Sequence, residues 1–262
     1  MTATDTAPAT TEQTLSKLRR LNIIAGFAHL IQMLAILALS NSFTLPVTAS
    51  YVEGPPGTPA STPVVLLDSR IGWGVALFFG LSALFHFIVA SPLFYKRYAA
   101  GLVEQRNYFR WVEYSLSSSV MIVLIAQVTG ITDVAALIAL FGVNASMILF
   151  GLVMERVNVG REAVDWRPFI FGCIAGAVPW IAIGIQLIVS TTEGDGVPGF
   201  VFAIFVTLFV LFNTFAINMW LQYRGRGRWA DPVFAERVYL ILSLVAKSAL
   251  AWQVYGGALA GS

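Results

Sequence analysis

The sequence predicts an all-α membrane protein, a bundle of seven transmembrane helices with a short β-hairpin between the first helix and the second. Hydrophobic residues make up 57% of its 262 residues and charged residues only 11%, which is too few charges for the surface of a soluble domain. Seven apolar segments reach the roughly 20 residues that a helix needs to cross a bilayer. No internal repeat is visible, which argues against a solenoid.

Each predicted span is apolar along most of its length and is bounded by a polar or charged connection. The spans cover residues 19–41, 70–91, 106–128, 131–154, 168–189, 199–223 and 234–258. Only "TGI" joins the third span to the fourth, so these two helices must be antiparallel neighbours. Residues 17–262 are expected to form one seven-helix domain. The preceding residues 1–16 are polar and rich in Thr and Ala, and we expect them to form a disordered tail.

The connection between the first and second spans, about residues 42–69, is much longer than the others. It contains five prolines, and its "GPPG" is a strong turn signal. The turn lies between two stretches of high β-propensity, "VTASYV" and "TPVVLL". The pattern predicts a small β-hairpin that lies on the extracellular membrane surface.

The basic residues predict the orientation of the bundle, because short cytoplasmic loops carry an excess of Lys and Arg. Fourteen of the sixteen basic residues flank the first span or lie in the second–third, fourth–fifth and sixth–seventh connections, and most of these charges are expected to be solvated. We therefore expect a multi-pass protein of the cell membrane with a cytoplasmic N-terminus and an extracellular C-terminus. The net charge of +2 and the scattered basic residues exclude a nucleic-acid partner.

Four titratable groups lie deep inside predicted spans, namely His29, His86, Glu113 and Lys247. An ionisable group at the bilayer centre costs roughly 2.5–3.5 kcal/mol, so each suggests a function. Lys247 lies about 13 residues into the last span, and Glu113 is the only carboxylate expected well inside any helix. Two solutions are open. The ammonium group pairs with Glu113 as a structural ion pair, or the amine is consumed as a Schiff base with a carbonyl ligand.

Other polar side chains lie within about one helical turn of these four groups or midway along a neighbouring span. Together they predict one internal hydrogen-bonded network that keeps the buried charges satisfied. Its members are Gln32, Ser82, Ser117, Ser118, Asn144 and Ser243.

Five segments of the sequence resemble the heliorhodopsins. They are "SALFHFIVA", "FRWVEYSLSSSVMIVLIAQVTG", "LFGVNASMILFG", "FGCIAGAVPWI" and "LSLVAKSALAWQ". The similarity runs through all seven predicted spans and includes the proline-rich connection. The family's inverted topology agrees with the orientation that the Lys and Arg count indicates.

This resemblance implies a retinal protein. All-trans retinal would be bound to Lys247 as a protonated Schiff base, with Glu113 as its counterion and the His29–His86 pair nearby. Ser82, Ser117, Ser118 and Ser243 match polar residues around the Schiff base, and Gln32 belongs to the same predicted network. The retinal chain and ring would lie against Asn144, Met147, Gly151, Trp180 and Phe212. The resemblance also implies a homodimer with the hairpin at its interface.

The polar pattern argues for light sensing rather than ion transport. A light-driven proton pump of the bacteriorhodopsin kind has an Asp one turn before the lysine, where this chain has Ser243, and Leu124 occupies the place of a second acid. The outer halves of the spans are apolar apart from Gln127 and Gln253, so a channel is also disfavoured. The alternatives are a light-driven proton or ion transporter and a colourless seven-helix scaffold. Neither enzymatic catalysis nor a metal site is expected.

A light sensor needs a partner, in the cytoplasm or in the membrane, that the sequence does not identify. The arginine-rich turn "QYRGRGRW" between the sixth and seventh spans is a plausible docking surface. The alternative is that these arginines anchor the chain to anionic lipid.

Overall fold

The structure is a computed structural model that describes residues 12–194 and 196–260. In this part of the chain, seven long helices correspond one to one to the predicted spans, and one short helix, α3, was not predicted. The helices are α1 (Glu12–Leu39), α2 (Ile71–Ala90), α3 (Tyr95–Val103), α4 (Tyr108–Val128), α5 (Val134–Asn158), α6 (Arg167–Thr192), α7 (Gly199–Arg224) and α8 (Pro232–Val254). Six of the long helices are apolar enough by length and composition to cross a membrane. The remaining one, α8, carries Glu236, Arg237 and Lys247.

The start of α1 and the presence of α3 differ from the sequence prediction. Helix α1 begins at Glu12, so the predicted disordered tail is wrong for residues 12–16, and the rest of that tail lies outside the described residues. Helix α3 lies in the connection before α4 and buries Tyr98 and Leu102. It has only nine residues with two buried positions, which is too short an apolar pattern to distinguish from a loop.

The predicted hairpin is confirmed. Strand β1 (Thr44–Ala49) pairs antiparallel with β2 (Val64–Arg70), and α2 follows β2 directly. The other side of β1 is held by the α4–α5 connection, because the Thr48 amide donates to the Thr132 carbonyl at 2.9 Å. In β2, the side chains of residues 64–67, all Val or Leu, are exposed.

Helix α4 is the centre of the bundle. In its most apolar 18-residue stretch 67% of the residues are buried, against 17% in α7. The outer helices α1, α6 and α7 instead direct many large apolar side chains outward, which suits contact with lipid tails. The buried polar groups of the molecule therefore concentrate where α2 and α8 pack against α4.

Side-chain caps fix where the two site-bearing helices begin. Asn107 accepts a hydrogen bond from the Arg110 amide at 3.1 Å and starts α4 six residues before Glu113. Asp231 accepts from the Val233 amide at 2.9 Å and starts α8, with proline at the first helical position. These caps set the depth of every later side chain on the two helices.

A buried ion cluster joins the beginnings of α4 and α8 to the end of α5. The Arg110 guanidinium contacts the carboxylates of both Glu155 and Glu236, and each of the three side chains is at most 6% exposed. Asn107 completes the cluster, because its backbone N–H donates to Glu155 Oε2 at 2.7 Å and its side-chain Nδ2 donates to Glu236 Oε1 at 2.7 Å. We call Arg110, Glu155, Glu236 and Asn107 the Arg110 cluster.

The Arg110 cluster corrects two expectations from the sequence. Arg110 is not a solvated loop charge, and Glu113 is not the only carboxylate held inside the bundle. Each cluster member lies within a few residues of a helix end, where a charge is ordinarily solvated. The sequence does not reveal that three such ends converge, so their mutual neutralisation could not be predicted.

Replacement of Arg110 with Leu is expected to destabilise the fold strongly, because it leaves two buried carboxylates without a counter-charge. Removal of one partner from a buried ion pair costs about 3–5 kcal/mol. The measurement is the free energy of unfolding in mixed micelles titrated with a denaturing detergent.

Arg167→Leu provides the control for this substitution. Arg167 also contacts a carboxylate, Asp165 at 2.6 Å, but its side chain is 75% exposed. Solvent screens that pair, so we expect little change in stability. Equal, small effects of the two substitutions would contradict the account of the Arg110 cluster.

Candidate functional site

Lys247 and Glu113 form a buried ion pair at the junction of α4 and α8. Lys247 Nζ donates to Glu113 Oε1 at 3.0 Å and to Ser243 Oγ at 2.8 Å. From α2, the Ser82 hydroxyl donates to the same Glu113 oxygen at 2.6 Å. The side chains of Lys247 and Glu113 are 4% and 6% exposed. Each charge is therefore stabilised by its partner and by one hydroxyl group.

The two histidines lie together beside this pair, on α1 and α2. Their rings stack with centroids 5.3 Å apart and an angle of 9° between the planes. His86 Nδ1 lies 2.9 Å from Asn22 Oδ1. Both ring nitrogens of His29 are buried, and neither has a hydrogen-bond partner within the described part of the chain. The predicted histidine pair is thus assembled, but only His86 is tied into a hydrogen-bonded network.

The rest of the predicted network divides into separate parts. Ser118 donates to the Tyr114 carbonyl at 2.7 Å and accepts from Asn144 Nδ2 at 2.8 Å, which links α4 to α5. The buried Ser117 hydroxyl has no protein partner among the residues that the structure describes. Gln32 is not brought into this network, because its side-chain oxygen accepts from Trp252 Nε1 at 3.2 Å.

A cavity of about 310 Å³ begins at Lys247 and extends between α4, α5, α6, α7 and α8. Of the predicted pocket residues, Met147, Gly151, Trp180 and Phe212 line it, whereas Asn144 reaches it only through its bond to Ser118. A Cβ atom at Gly151 would overlap the ring of Trp111, so glycine permits this close approach of α5 to α4. The volume lies within the range of pockets that hold small organic ligands.

Nine aromatic side chains line the cavity, and several of them were not predicted. Trp180 packs edge-on against Phe212, with centroids 5.5 Å apart. Trp111, Tyr114 and Tyr239 also line the cavity. The spacing in α8 could have pointed to Tyr239, because it precedes Ser243 by four residues, as Ser243 precedes Lys247. No comparable spacing singles out Trp111.

The residues present fit a long, apolar aldehyde. A buried primary amine stands at one end of an aromatic cavity and is paired with a carboxylate that can balance a positive nitrogen. The buried Ser117 Oγ in the cavity wall has no hydrogen-bond partner within the described part of the chain. The site thus combines covalent attachment, charge neutralisation and an apolar wall.

Comparisons with known proteins agree with this geometry. The heliorhodopsin family matches residues 18–259. Among solved structures, the crystal structure of the light-driven proton pump LR (Mac) from Leptosphaeria maculans superposes with a TM-score of 0.64 at 15% sequence identity. The alignment covers 95% of this chain and 98% of the pump, and identity this low shows a shared fold alone. The comparison with curated proteins finds no match.

The family match covers nearly the whole chain and includes every helix that contributes to the cavity. The chain belongs to the heliorhodopsin family, whose members are light-responsive membrane proteins with a retinal chromophore.

Proposed function

We propose that the protein is a light sensor in which all-trans retinal is bound to Lys247 as a protonated Schiff base and Glu113 is the counterion. The observation that carries the proposal is the position of Lys247 Nζ, which lies 3.0 Å from Glu113 Oε1 and opens onto the aromatic cavity. When bound, retinal supplies absorption of visible light and the isomerisation that follows. The protein supplies attachment, charge balance and the walls.

Glu113 keeps the nitrogen of Lys247 positively charged at a buried position. A cation in an apolar environment loses its proton unless an anion lies close to it. Ser82 donates to Glu113 Oε1, which stabilises the carboxylate form, and Ser243 accepts from Lys247 Nζ, which stabilises the ammonium form. Both hydroxyl groups therefore favour the charged state of the pair.

The cavity walls would hold the apolar body of the chromophore. Met147 and Gly151 of α5, Trp180 of α6 and Phe212 of α7 line the part of the cavity that these helices form. Packing of rigid aromatic rings restricts the shapes that a flexible polyene can adopt, which favours one isomer in the dark.

The distribution of carboxylates supports sensing over pumping. Ser243 precedes Lys247 by one turn and accepts its hydrogen bond, so no acid is available there. The two other buried glutamates, Glu155 and Glu236, are both held by Arg110. A carboxylate bound to a guanidinium is a poor proton carrier, because protonation breaks the ion pair. The similarity to the light-driven proton pump is one of fold and does not indicate that this chain pumps protons.

The signal would leave the site through α8, which bears both Lys247 and Glu236. A change at the Lys247–Glu113 pair alters the forces on α8, and the Arg110 cluster connects the beginning of that helix to α4 and α5. With the N-terminus in the cytoplasm, as the basic loops support, this cluster faces a cytoplasmic partner or a partner in the membrane. We further propose a homodimer that covers the exposed Val and Leu side chains of β2.

Addition of all-trans retinal to membranes that contain the protein is expected to give a visible absorption band. Lys247→Ala is expected to abolish the band, because Lys17 and Lys96, the other two lysines, lie outside the cavity. The measurement is a difference spectrum before and after retinal is added. A visible band that persists in Lys247→Ala would contradict the attachment site.

Glu113→Gln is expected to move the band to longer wavelength, because a neutral amide stabilises the ground-state cation less than a carboxylate does. Glu193→Gln is the control, since this exposed residue caps the end of α6 far from the pair in sequence and shows no contact with Lys247. An unchanged band in Glu113→Gln would show that another group is the counterion.

Illumination of cells that express the protein in weakly buffered medium is expected to cause no pH change that an uncoupler abolishes. The reason is the absence of an acid next to Lys247 on α8 and the engagement of Glu155 and Glu236 by Arg110. A pH electrode provides the measurement. A robust light-dependent pH change that an uncoupler abolishes would contradict the sensing function and indicate ion transport.

A further inference from the structure

A chain of buried hydrogen bonds leads from His86 to the Arg110 cluster. His86 Nδ1 lies 2.9 Å from Asn22 Oδ1. Asn22 Nδ2 lies 3.0 Å from the Leu18 carbonyl and 3.2 Å from the Tyr98 hydroxyl. The Tyr98 hydroxyl lies 3.3 Å from Glu236 Oε1. All the side chains in this chain of bonds are buried, and they come from α2, α1, α3 and α8 in turn.

The chemistry of the partners fixes the direction of every bond. A backbone carbonyl only accepts, so the Asn22 atom at Leu18 is the amide nitrogen and the atom at His86 is the oxygen. That oxygen also only accepts, so His86 Nδ1 must carry a hydrogen. A carboxylate held by Arg110 only accepts, so the Tyr98 hydroxyl donates to Glu236 and accepts from Asn22. In each of these three hydrogen bonds between side chains, the donor lies on the side of His86 and the acceptor on the side of Glu236.

Burial reinforces this direction at Tyr98, which lies on the short helix α3. Loss of hydration in the interior raises the pKa of the Tyr98 hydroxyl well above its ordinary value. The phenol therefore keeps its hydrogen and remains a donor to Glu236.

We propose that Asn22 is a positioning residue that holds His86 in the tautomer with hydrogen on Nδ1, so that Nε2 is the basic nitrogen beside the Lys247–Glu113 pair. A small cavity of about 30 Å³ is lined by His86, Ser82 and Glu113, which places the imidazole next to the counterion. The titratable groups around His86 are His29 of α1, Glu113 of α4 and Lys247 of α8. The proposal rests on the proposed function, in which light disturbs that pair.

The fixed tautomer defines which nitrogen of His86 can accept a proton. A proton that leaves the Lys247–Glu113 pair binds the lone pair of His86 Nε2, while Nδ1 keeps its hydrogen and its bond to Asn22. The imidazolium makes that bond charge-assisted and therefore stronger. Through Asn22 and Tyr98 the added charge acts on Glu236, so protonation beside the chromophore is coupled to the Arg110 cluster.

The test is nitrogen-15 NMR of the full-length protein in membranes, labelled at histidine and kept in the dark. The chain has only two histidines, so a His29→Gln variant assigns both sets of signals. In the wild type we expect a protonated Nδ1 and an unprotonated Nε2 on His86. In Asn22→Leu we expect this tautomer to lose its dominance, because the acceptor is gone.

Thr191→Val is the control, since Thr191 also donates to the carbonyl four residues before it, at 2.7 Å, but neither contacts His86 nor lines the cavity. Hydrogen on Nε2 of His86 in the wild type would overturn the proposal. An unchanged tautomer in Asn22→Leu would also overturn it.

The spectra are recorded with and without added retinal, which separates this proposal from the proposed function. Failure of the wild type to form a visible band would defeat the chromophore assignment and leave the tautomer measurement intact. A visible band together with hydrogen on Nε2 would leave the chromophore assignment intact and defeat the role of Asn22.

Discussion

The structure depends on the mutual neutralisation of Lys247 and Glu113 in a place where neither charge is stable alone. Desolvation of an isolated ammonium or carboxylate costs several kcal/mol, and their attraction offsets this cost only with close geometry and further hydrogen bonds. Ser82 and Ser243 provide those bonds, at 2.6 and 2.8 Å. A buried pair of this kind is a poor source of stability, which fits the proposed role of Glu113 in balancing a positive nitrogen at the end of an aromatic cavity.

Helices α4 and α8 each contribute to two buried charge sites. On α4, Arg110 and Glu113 are three residues apart and lie on one face. On α8, Glu236 and Lys247 are 11 residues apart, about 16 Å along the axis. The spacing on α8 is therefore longer than that on α4, and the long lysine side chain, which in a helix points back toward the N-terminus, closes part of this gap. Movement of α8 relative to α4 therefore disturbs both sites, and this mechanical link suits a sensor whose output is a change of helix arrangement.

The sequence was sufficient for the features that follow from exclusion from lipid. Seven apolar segments gave seven long helices, and the buried position of Lys247 led to Glu113, because so few charges lie deep in the spans. The hairpin followed from "GPPG" between two β-prone stretches. The Arg110 cluster could not be predicted, because its members lie near helix ends and only tertiary packing turns them inward. Gln32 shows the opposite error, since its spacing from His29 was right for a shared face but its side chain reaches Trp252.

In the proposed function, Lys247 alone carries the chromophore. The chain has three lysines, so reduction of the retinal-loaded protein with borohydride, followed by proteolysis and mass spectrometry, locates the attachment directly. We expect the mass of a retinyl group on the peptide that contains Lys247 and on neither of the peptides that contain Lys17 and Lys96. A retinyl group on one of those peptides, with Lys247 unmodified, would contradict this expectation.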